Sequence, residues 1–330
     1  MPPEFVTTYV IPWHEEWSAR TLAVARWEGR LAALRRIVTE APRLRGAILH
    51  GAVSLRDGYV DLLAAAALGR RGVPVVLDDA TWQPGSRALD RLLGRRRTVL
   101  GVDVPGRHGR RLTRSAVGLI DRPSVHFVVL SSEERRSFPA TWGVPPERVH
   151  VVPFCATAPD DGPAPRTAGV FAGGDSLRDY RPLLQAAGSI HAPVRVATRL
   201  PVPPSAAQAG PLAPDDYARQ ARAARVVVVP LQAATGRSGG QQTYLNAMLQ
   251  AKPVVVTDAP GVRDHVVDGM TGLVVPPGDV AALANAVNRL LDDAELASRL
   301  GAAAREAVLA RFTARHRFDA LLALASRIAA

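Results

Sequence analysis

The sequence predicts an α/β protein with two domains, each built on a doubly wound parallel sheet. Short apolar runs rich in Val and Ile alternate with longer amphipathic stretches, which is the pattern of βαβ units. The alternation is interrupted once, at residues 156–168, where three prolines and one glycine occur without periodicity, and it then resumes. A length of 330 residues also fits two domains.

Residues 1–155 are predicted to form the N-terminal domain. Its last helix has a clear start signal, because Ser131 and Ser132 precede the acidic Glu133 and Glu134. The predicted strands are Phe5–Ile11, Ala47–Leu49, Val73–Leu77, Val125–Leu130 and Val149–Phe154. The predicted helices are Ala19–Glu40, Gly58–Arg71 and Ser132–Trp142.

Residues 156–168 form the predicted linker, residues 169–312 the C-terminal domain, and residues 313–330 a final helix expected to pack back on the N-terminal domain. The predicted strands are Gly169–Ala172, Val194–Thr198, Val226–Pro230, Pro253–Thr257 and Gly272–Val275. The predicted helices are Tyr180–Ala187, Pro214–Arg222, Thr243–Gln250, Val280–Leu291, Glu295–Ala310 and Arg315–Ile328. Two such domains leave a cleft between them, and open α/β sheets bind ligands at the carboxyl ends of their strands.

The amount and distribution of charge indicate which kinds of partner the protein can bind. The formal net charge is +11, and Lys252 is the only lysine. The segment Arg87–Arg114 holds nine arginines and two aspartates, yet no aromatic residue interleaves with them. A nucleic-acid partner is therefore not expected. The segment is interpreted either as a solvated basic face or as a surface for an anionic membrane or acceptor.

Cysteine usage and hydropathy bear on location. Cys155 is the only cysteine, so no disulfide can form within the chain, which fits a reducing compartment. No run of 18 apolar residues predicts a transmembrane helix, and the first residues lack the pattern of a signal peptide. We expect a cytoplasmic protein, peripheral to the membrane if Arg87–Arg114 contacts lipid.

Three segments of the second half carry a chemical signal. In the first, a predicted strand runs into Gly173 and Gly174, and Arg178 follows before a helix. Glycine lets a ligand approach the backbone closely, and arginine offers a planar fork of donors to phosphate oxygens. A glycine pair after a strand is also an ordinary turn, so this segment alone decides nothing.

The second segment, Pro230–Lys252, joins a strand to a helix through a glycine-rich loop. Ser238 or Gly239 is expected near the helix N-cap, where free amides form an anion site. Asn246 lies a little over two turns beyond Ser238, so its side chain can face the same side. The candidate binding residues are Arg237, Ser238, Gly239, Gly240, Gln241, Gln242, Thr243 and Asn246.

The third segment completes a family resemblance. Its motifs are Ala247-Met248, Ala251-Lys252-Pro253-Val254-Val255, Pro260-Gly261-Val262-Arg263-Asp264 and Asp268-Gly269-Met270-Thr271-Gly272. In this order and spacing the three segments resemble the nucleotide-sugar half of retaining GT-B glycosyltransferases of family 4, the glycosyl transferases group 1. The resemblance covers residues 169–312 well and Val128–Phe154 weakly. It implies two Rossmann-like domains facing a cleft, with the donor bound by the second domain, Gly173, Gly174 and Arg178 included.

The resemblance fails at one motif. Where the family has the two carboxylates of a Glu-x7-Glu motif, this chain has Ser238 and Asn246. The first Glu is implied to contact the donor sugar and the second the ribose hydroxyls, a bond that Asn246 can still make. Either the donor is contacted differently, with Gln241 or Gln242 filling the gap, or catalysis is lost and the domain only binds.

The acceptor is expected in the N-terminal domain, at the carboxyl ends of its strands. His14 follows the first predicted strand and His50 the second, while Asp78 and Asp79 follow the third. A carboxylate there can orient an acceptor hydroxyl or take its proton, or the aspartates simply cap the following turn. Arg56 is a further acceptor-binding candidate.

The resemblance implies a retaining glycosyltransferase that moves a sugar from a nucleoside-diphosphate sugar, UDP- or GDP-linked, to a hydroxyl of a glycan, lipid-linked or small-molecule acceptor. Arg178 would stabilise the leaving diphosphate, and Asp78 and Asp79 complete the candidate catalytic residues. No Asp-x-Asp occurs, so neither metal nor cofactor is expected. The alternative is a catalytically silent homologue that acts as a binding or scaffolding partner.

Overall fold

The structure is a computed structural model that describes residues 2–24, 29–51, 60–82, 98–99, 102–103, 117–233 and 236–330. The chain divides into two compact units. Unit 1 comprises Met1–Val152 and Phe318–Ala330, and unit 2 comprises Pro153–Arg317. Each unit holds a parallel sheet, so the predicted α/β class is confirmed. Arg56 and every arginine of Arg87–Arg114 lie outside the described residues.

Unit 1 is built on a six-stranded parallel sheet. Its strands are β1 (Phe5–Thr7), β2 (Thr21–Ala23), β3 (Ala47–His50), β4 (Val75–Asp78), β7 (Val125–Val129) and β8 (Val149–Val151), in the order β2-β1-β3-β4-β7-β8. The strands β5 (Thr98–Val99) and β6 (Val102–Asp103) form a separate antiparallel pair. The helices are α1 (Glu15–Arg20), α2 (Arg30–Glu40), α3 (Val60–Arg70) and α4 (Ser132–Trp142). Helices and strands share one core, to which Ile37, Leu49, Leu68 and Phe127 belong.

The predicted helix Ala19–Glu40 is wrong. Its span contains the end of α1, the edge strand β2 and helix α2. Thr21 pairs with Phe5 in parallel register, and Gly29, at φ 107°, precedes α2 as its N-cap. A short apolar run fits a helix and a strand equally well, and pairing with β1 decides between them.

Unit 2 is built on a second six-stranded parallel sheet. Its strands are β9 (Val170–Gly173), β10 (Val194–Ala197), β11 (Gln208–Gly210), β12 (Val226–Val229), β13 (Val254–Thr257) and β14 (Leu273–Val275), in the order β11-β10-β9-β12-β13-β14. The helices are α5 (Arg181–Ala186), α6 (Pro214–Ala223), α7 (Gln241–Leu249), α8 (Val280–Asp292) and α9 (Ala294–Arg311). Helix α10 (Ala314–Ile328) begins in unit 2 and continues in unit 1.

The centre of the second sheet positions a candidate site. Strand β9 pairs with β10 on one side and with β12 on the other, so the strand order reverses at β9. The loops after β9 and β12 therefore emerge side by side at the carboxyl edge, where doubly wound sheets bind their ligands. Arg178 and Leu231 pair as an antiparallel bridge between these two loops.

Among the helices that the structure describes, none combines the length and the apolar character needed to cross a membrane.

Candidate functional site

Two glycines shape the turn after β9. A Cβ atom added to Gly173 would lie 2.4 Å from the ring of Tyr217. Gly174 has φ +102°, a backbone conformation in which any other residue is strained. Tyr180 donates a hydrogen bond from Oη to the carbonyl oxygen of Gly174 at 2.6 Å, and burial raises the pKa of Tyr180. Both predicted donor-binding glycines are thus also required by the packing of unit 2.

The guanidinium of Arg178 is buried at the junction of the two loops, with the residue only 6% exposed. Nε donates to the carbonyl oxygen of Gly173 at 3.0 Å, Nη1 to that of Ser176 at 2.8 Å, and Nη2 to Oγ1 of Thr243 at 2.8 Å. These acceptors are neutral, and no carboxylate in the described ranges forms an ion pair with Arg178. Burial is the largest influence on the pKa of Arg178 and lowers it. A cation held this way is stabilised by binding an anion.

Helix α7 begins at Gln241, two residues before the predicted helix Thr243–Gln250, and its N-cap is Gly240 instead of Ser238 or Gly239. Gly240 has φ +79°, and a Cβ there would lie 2.9 Å from Cδ2 of Leu231. A Cβ on Gly239 would lie 2.9 Å from Cδ1 of Leu177. The glycines let the two loops pack closely, and this brings the first turn of α7 against Arg178.

Three further polar side chains, those of Gln241, Arg237 and Ser238, lie in or next to the first turn of α7. Gln241, the first residue of α7, is 5% exposed, and its Nε2 finds no hydrogen-bond acceptor among the described residues. Arg237 donates from Nη2 to Oγ of Ser176 at 3.1 Å, and Ser238 is buried beside it in the chain. A buried amide donor at a helix N-terminus suits an anionic or hydroxyl oxygen.

Asn246 makes different contacts from those expected of a ribose ligand. Its Oδ1 accepts hydrogen bonds from the backbone N–H groups of Thr157 at 2.7 Å and Ala158 at 3.0 Å. Its Nδ2 donates to Oγ1 of Thr157 at 3.2 Å, and Nε2 of Gln242 donates to the same oxygen at 2.9 Å. Both side chains therefore hold the segment that precedes β9.

In unit 1 the two adjacent aspartates at the end of β4 have different surroundings. Asp78 is fully buried, and Tyr9 donates a hydrogen bond from Oη to its Oδ2 at 2.6 Å. Asp79 is partly exposed, with its Oδ2 3.5 Å from Nε2 of His50. Thr81 donates from Oγ1 to Oδ1 of Asp79 at 2.8 Å. Asp79 therefore caps its turn and also presents a carboxylate beside an imidazole.

His14, predicted to bind the acceptor, is 1% exposed. Its Nδ1 accepts a hydrogen bond from the backbone N–H of Trp17 at 3.3 Å, which caps α1. Its Nε2 lies 3.0 Å from Oδ1 of Asp319. The structure thus places His14 inside unit 1, where it anchors α1 and contacts the final helix, α10.

Several residues that contact the predicted site residues were not predicted from the sequence. Tyr9, Thr157 and Asp319 each contact a predicted site residue, and none was proposed from the sequence. Tyr9 and Asp78 are 69 positions apart, and Thr157 and Asn246 are 89 apart. The only local signal is that Tyr9 is a polar residue near the end of the predicted strand Phe5–Ile11, whereas β1 ends earlier, at Thr7.

Comparison with known protein families gives a match within the second unit. The family model described as Glycosyl transferases group 1 matches residues 181–293. The α-D-kanosaminyltransferase of Streptomyces kanamyceticus is 46% identical over 56 residues, which is 17% of this chain and 14% of that protein. The capsular polysaccharide glycosyltransferase CapM of Staphylococcus aureus is 33% identical over 79 residues, 24% of this chain and 21% of that protein. The matches thus span about a fifth or less of these relatives' lengths.

Solved structures resemble almost the whole chain. Anabaena HepE in complex with UDP and glucose superposes with a TM-score of 0.64 at 16% identity, covering 96% of this chain and 88% of HepE. The sucrose-phosphate synthase of Thermosynechococcus elongatus gives a TM-score of 0.61 at 17% identity, covering 94% of this chain and 83% of that one. The chain therefore has the GT-B fold of these glycosyltransferases, and its residues 181–293 match the family of glycosyl transferases group 1.

Proposed function

We propose that this chain is a glycosyltransferase that moves a sugar from a nucleoside-diphosphate sugar to a hydroxyl acceptor, with retention of the anomeric configuration and without a metal ion. The match of residues 181–293 to a glycosyltransferase family supports sugar transfer. The complexes of HepE with UDP and with UDP-glucose make a uridine nucleotide the first donor to test, and a GDP-sugar the second.

The observation that carries the proposal is the environment of the Arg178 guanidinium. A buried guanidinium paired only with neutral oxygens lies at the switch point of the sheet, against the first turn of a helix. The positive end of the helix dipole and the guanidinium act together on one anion. A diphosphate matches this chemistry, because its charge increases as the bond to the sugar breaks.

The donor-binding residues follow from this placement. Gly173 and Gly174 let Tyr217 and Arg178 pack against the turn, Arg237 adds charge at its edge, and Gln241 supplies a buried amide. The remaining residues of the proposed donor site are Ser238, Gly239, Gly240, Gln242, Thr243 and Asn246.

The reaction itself needs little covalent chemistry from the protein. The bond between C1 of the sugar and the β-phosphate oxygen breaks, and the acceptor oxygen forms the new bond to C1 on the same face. The acceptor proton passes to the departing diphosphate or to a carboxylate of unit 1, a role that suits the partly exposed Asp79 better than the buried Asp78. The proposed acceptor is a glycan or another hydroxyl compound bound by unit 1, with His50 beside Asp79.

Location and membrane contact are further proposals. We place the enzyme in the cytoplasm and propose that Arg87–Arg114 contacts anionic lipid, since nine arginines in one segment attract acidic headgroups. Co-sedimentation with phosphatidylglycerol vesicles but not with phosphatidylcholine vesicles is the expected result. Equal sedimentation with both would contradict the lipid contact.

A donor-turnover experiment tests the proposed activity. Purified protein is incubated with UDP-, GDP-, ADP- and dTDP-sugars in the presence of EDTA, and release of the nucleoside diphosphate is measured by chromatography. We expect release from one nucleotide class, and transferred sugar with the anomeric configuration of the donor. No release from any donor, with or without a saccharide acceptor, would indicate a silent homologue that only binds or scaffolds.

A further inference from the structure

The loop between β1 and α1 presents an apolar surface in unit 1. Trp13 is 56% exposed although it is one of the largest apolar side chains, and Val10 in the same loop is also exposed. An indole combines a large apolar face with a polar N–H, and tryptophan is for this reason enriched at binding surfaces.

Trp13 belongs to a fixed group of aromatic rings. Its ring centroid lies 6.1 Å from that of Phe318, with the planes at 68°. Phe318 lies 5.6 Å from the ring of Tyr9, and Tyr9 lies 5.5 Å from the ring of His50. This edge-to-face chain holds the indole in position and connects it to the imidazole beside Asp79.

The combination has a specific chemistry. The C–H faces of a sugar ring are apolar and pack against an indole, while its hydroxyls need oxygen and nitrogen partners. His50 and Asp79, 3.5 Å apart, provide such partners at the end of the same chain of rings. An aromatic platform connected to a polar pair through Phe318 and Tyr9 fits a saccharide better than a purely apolar ligand.

We propose that Trp13 is the stacking platform for a sugar ring of the acceptor, so that the acceptor is a saccharide. This inference rests on the proposed glycosyltransferase activity and adds the substrate class and a specificity-determining residue. The charge around the loop disfavours an anionic membrane as the occupant, because Glu15 and Glu16 are exposed in the first turn of α1, directly after the loop.

The test uses the full chain and methyl glycosides of glucose, galactose, mannose and N-acetylglucosamine as probes. Binding to every variant is followed by saturation-transfer NMR of the glycoside protons, and binding to the wild type and Leu31→Ala also through the indole N–H signal of Trp13. Glycoside concentrations of up to about 50 mM detect Kd values of about 10 mM or lower. The variants are Trp13→Ala and Trp13→Phe, with Leu31→Ala as the control at another exposed apolar residue of unit 1. Binding of UDP and GDP is measured on each variant in parallel.

At least one glycoside should shift the Trp13 signal, with affinity lowered about tenfold or more in Trp13→Ala, largely kept in Trp13→Phe and unchanged in Leu31→Ala. Nucleotide binding should be the same in all variants. The inference is overturned if no glycoside shifts the signal, or if Trp13→Ala binds glycosides like the wild type. It is also overturned if Trp13 signals respond only to phosphatidylglycerol vesicles. If the wild type binds neither UDP nor GDP, the result contradicts the proposed donor site and not the role of Trp13.

Discussion

Arg178 donates a hydrogen bond from Nη2 to Oγ1 of Thr243 at 2.8 Å. The bond joins the turn after β9 to the first turn of α7, two segments that are distant in sequence and adjacent at the carboxyl edge of the sheet. Tyr217, whose pKa is raised by burial, shares the hydroxyl of Thr243. One threonine therefore orients the cation on which the proposed donor site depends.

Replacing Thr243 with Val should weaken both stability and nucleotide binding. The variant keeps the side-chain volume but removes an acceptor from a buried guanidinium, which costs about 1–3 kcal/mol in the free energy of unfolding. Urea denaturation followed by circular dichroism measures this loss. Thr243→Ser restores the hydroxyl and should recover most of it. Equal stability of Thr243→Val and wild type would show that the bond has no energetic weight.

Asn246→Ala should destabilise unit 2 by about 1 kcal/mol, since two backbone N–H groups of Thr157 and Ala158 lose their shared acceptor. Asn246→Asp keeps an oxygen in place and should cost much less. Gln242→Ala, which removes a single bond to the same Thr157, is the matched control. If Asn246→Asp and Asn246→Ala lose the same free energy in urea denaturation, acceptance of these two bonds is not the role of Asn246.

The only lysine of the chain should make stability depend on pH under alkaline conditions. Lys252 is fully buried and donates from Nζ to the carbonyl oxygens of Ala164, at 3.0 Å, and Pro165. Burial lowers its pKa from 10.5 to about 8, helped by the charges of Arg166 and Arg222. The unfolded chain then binds more protons between these two pKa values, so this group makes the folded state more stable as pH rises through that window.

Lys252→Met removes this titration. The difference in unfolding free energy between wild type and Lys252→Met should therefore shift in favour of the wild type from pH 8 to pH 10. Denaturation curves at several pH values measure it. A difference that stays constant over this range would mean that the pKa of Lys252 is not lowered.

Two stacked imidazoles should make unit 1 sensitive to acid. Nδ1 of His126 lies 2.9 Å from Nε2 of His150, with ring centroids 5.2 Å apart. Burial, with help from His150 and Arg148, lowers the pKa of His126 to about 4, and burial also lowers the pKa of His150. Because both folded pKa values lie below the ordinary 6.5, the stability contribution is complete above that pH and is lost as pH falls toward about 4.

His126→Gln should consequently lose less stability than the wild type between pH 7 and pH 4.5. All five tryptophans lie within residues 13–142, so their fluorescence reports the unfolding of unit 1. The exposed His316 provides a control, and His316→Gln should follow the wild type. An identical acid loss in His126→Gln would contradict the role of the imidazole pair.

Local signals predicted part of the fold closely. The helix Ser132–Trp142 was predicted with the bounds it has, because Ser131 caps it by accepting from the N–H of Glu134 and Gly143 ends it at φ 79°. Where local patterns were ambiguous, tertiary pairing decided. The edge strand β2 forms inside a predicted helix, and β11 forms from Gln208-Ala209-Gly210, which has no apolar alternation to signal a strand.

The residues of the candidate site likewise divide into those with a local sequence signal and those placed by tertiary packing. The glycine-rich loop and the arginine before α5 could be found from the sequence, because glycine requirements and helix starts are local. The bonds of Asn246 to Thr157 and of Tyr9 to Asp78 could not, because they depend on how distant segments pack. The bond from Tyr9 marks Asp78 as the buried aspartate and leaves Asp79 as the partly exposed one. Two adjacent aspartates in a sequence give no sign of this difference.

The most direct measurement is calorimetric titration of UDP and GDP into the wild type, Arg178→Met and Arg181→Met. Arg181 is exposed and paired with Asp179, so it controls for loss of a nearby charge. We predict that one nucleotide binds the wild type, that Arg178→Met weakens binding by about 30-fold or more, and that Arg181→Met changes it by less than about twofold. Undiminished binding by a folded Arg178→Met, or no binding of either nucleotide to the wild type, would contradict the proposed diphosphate site.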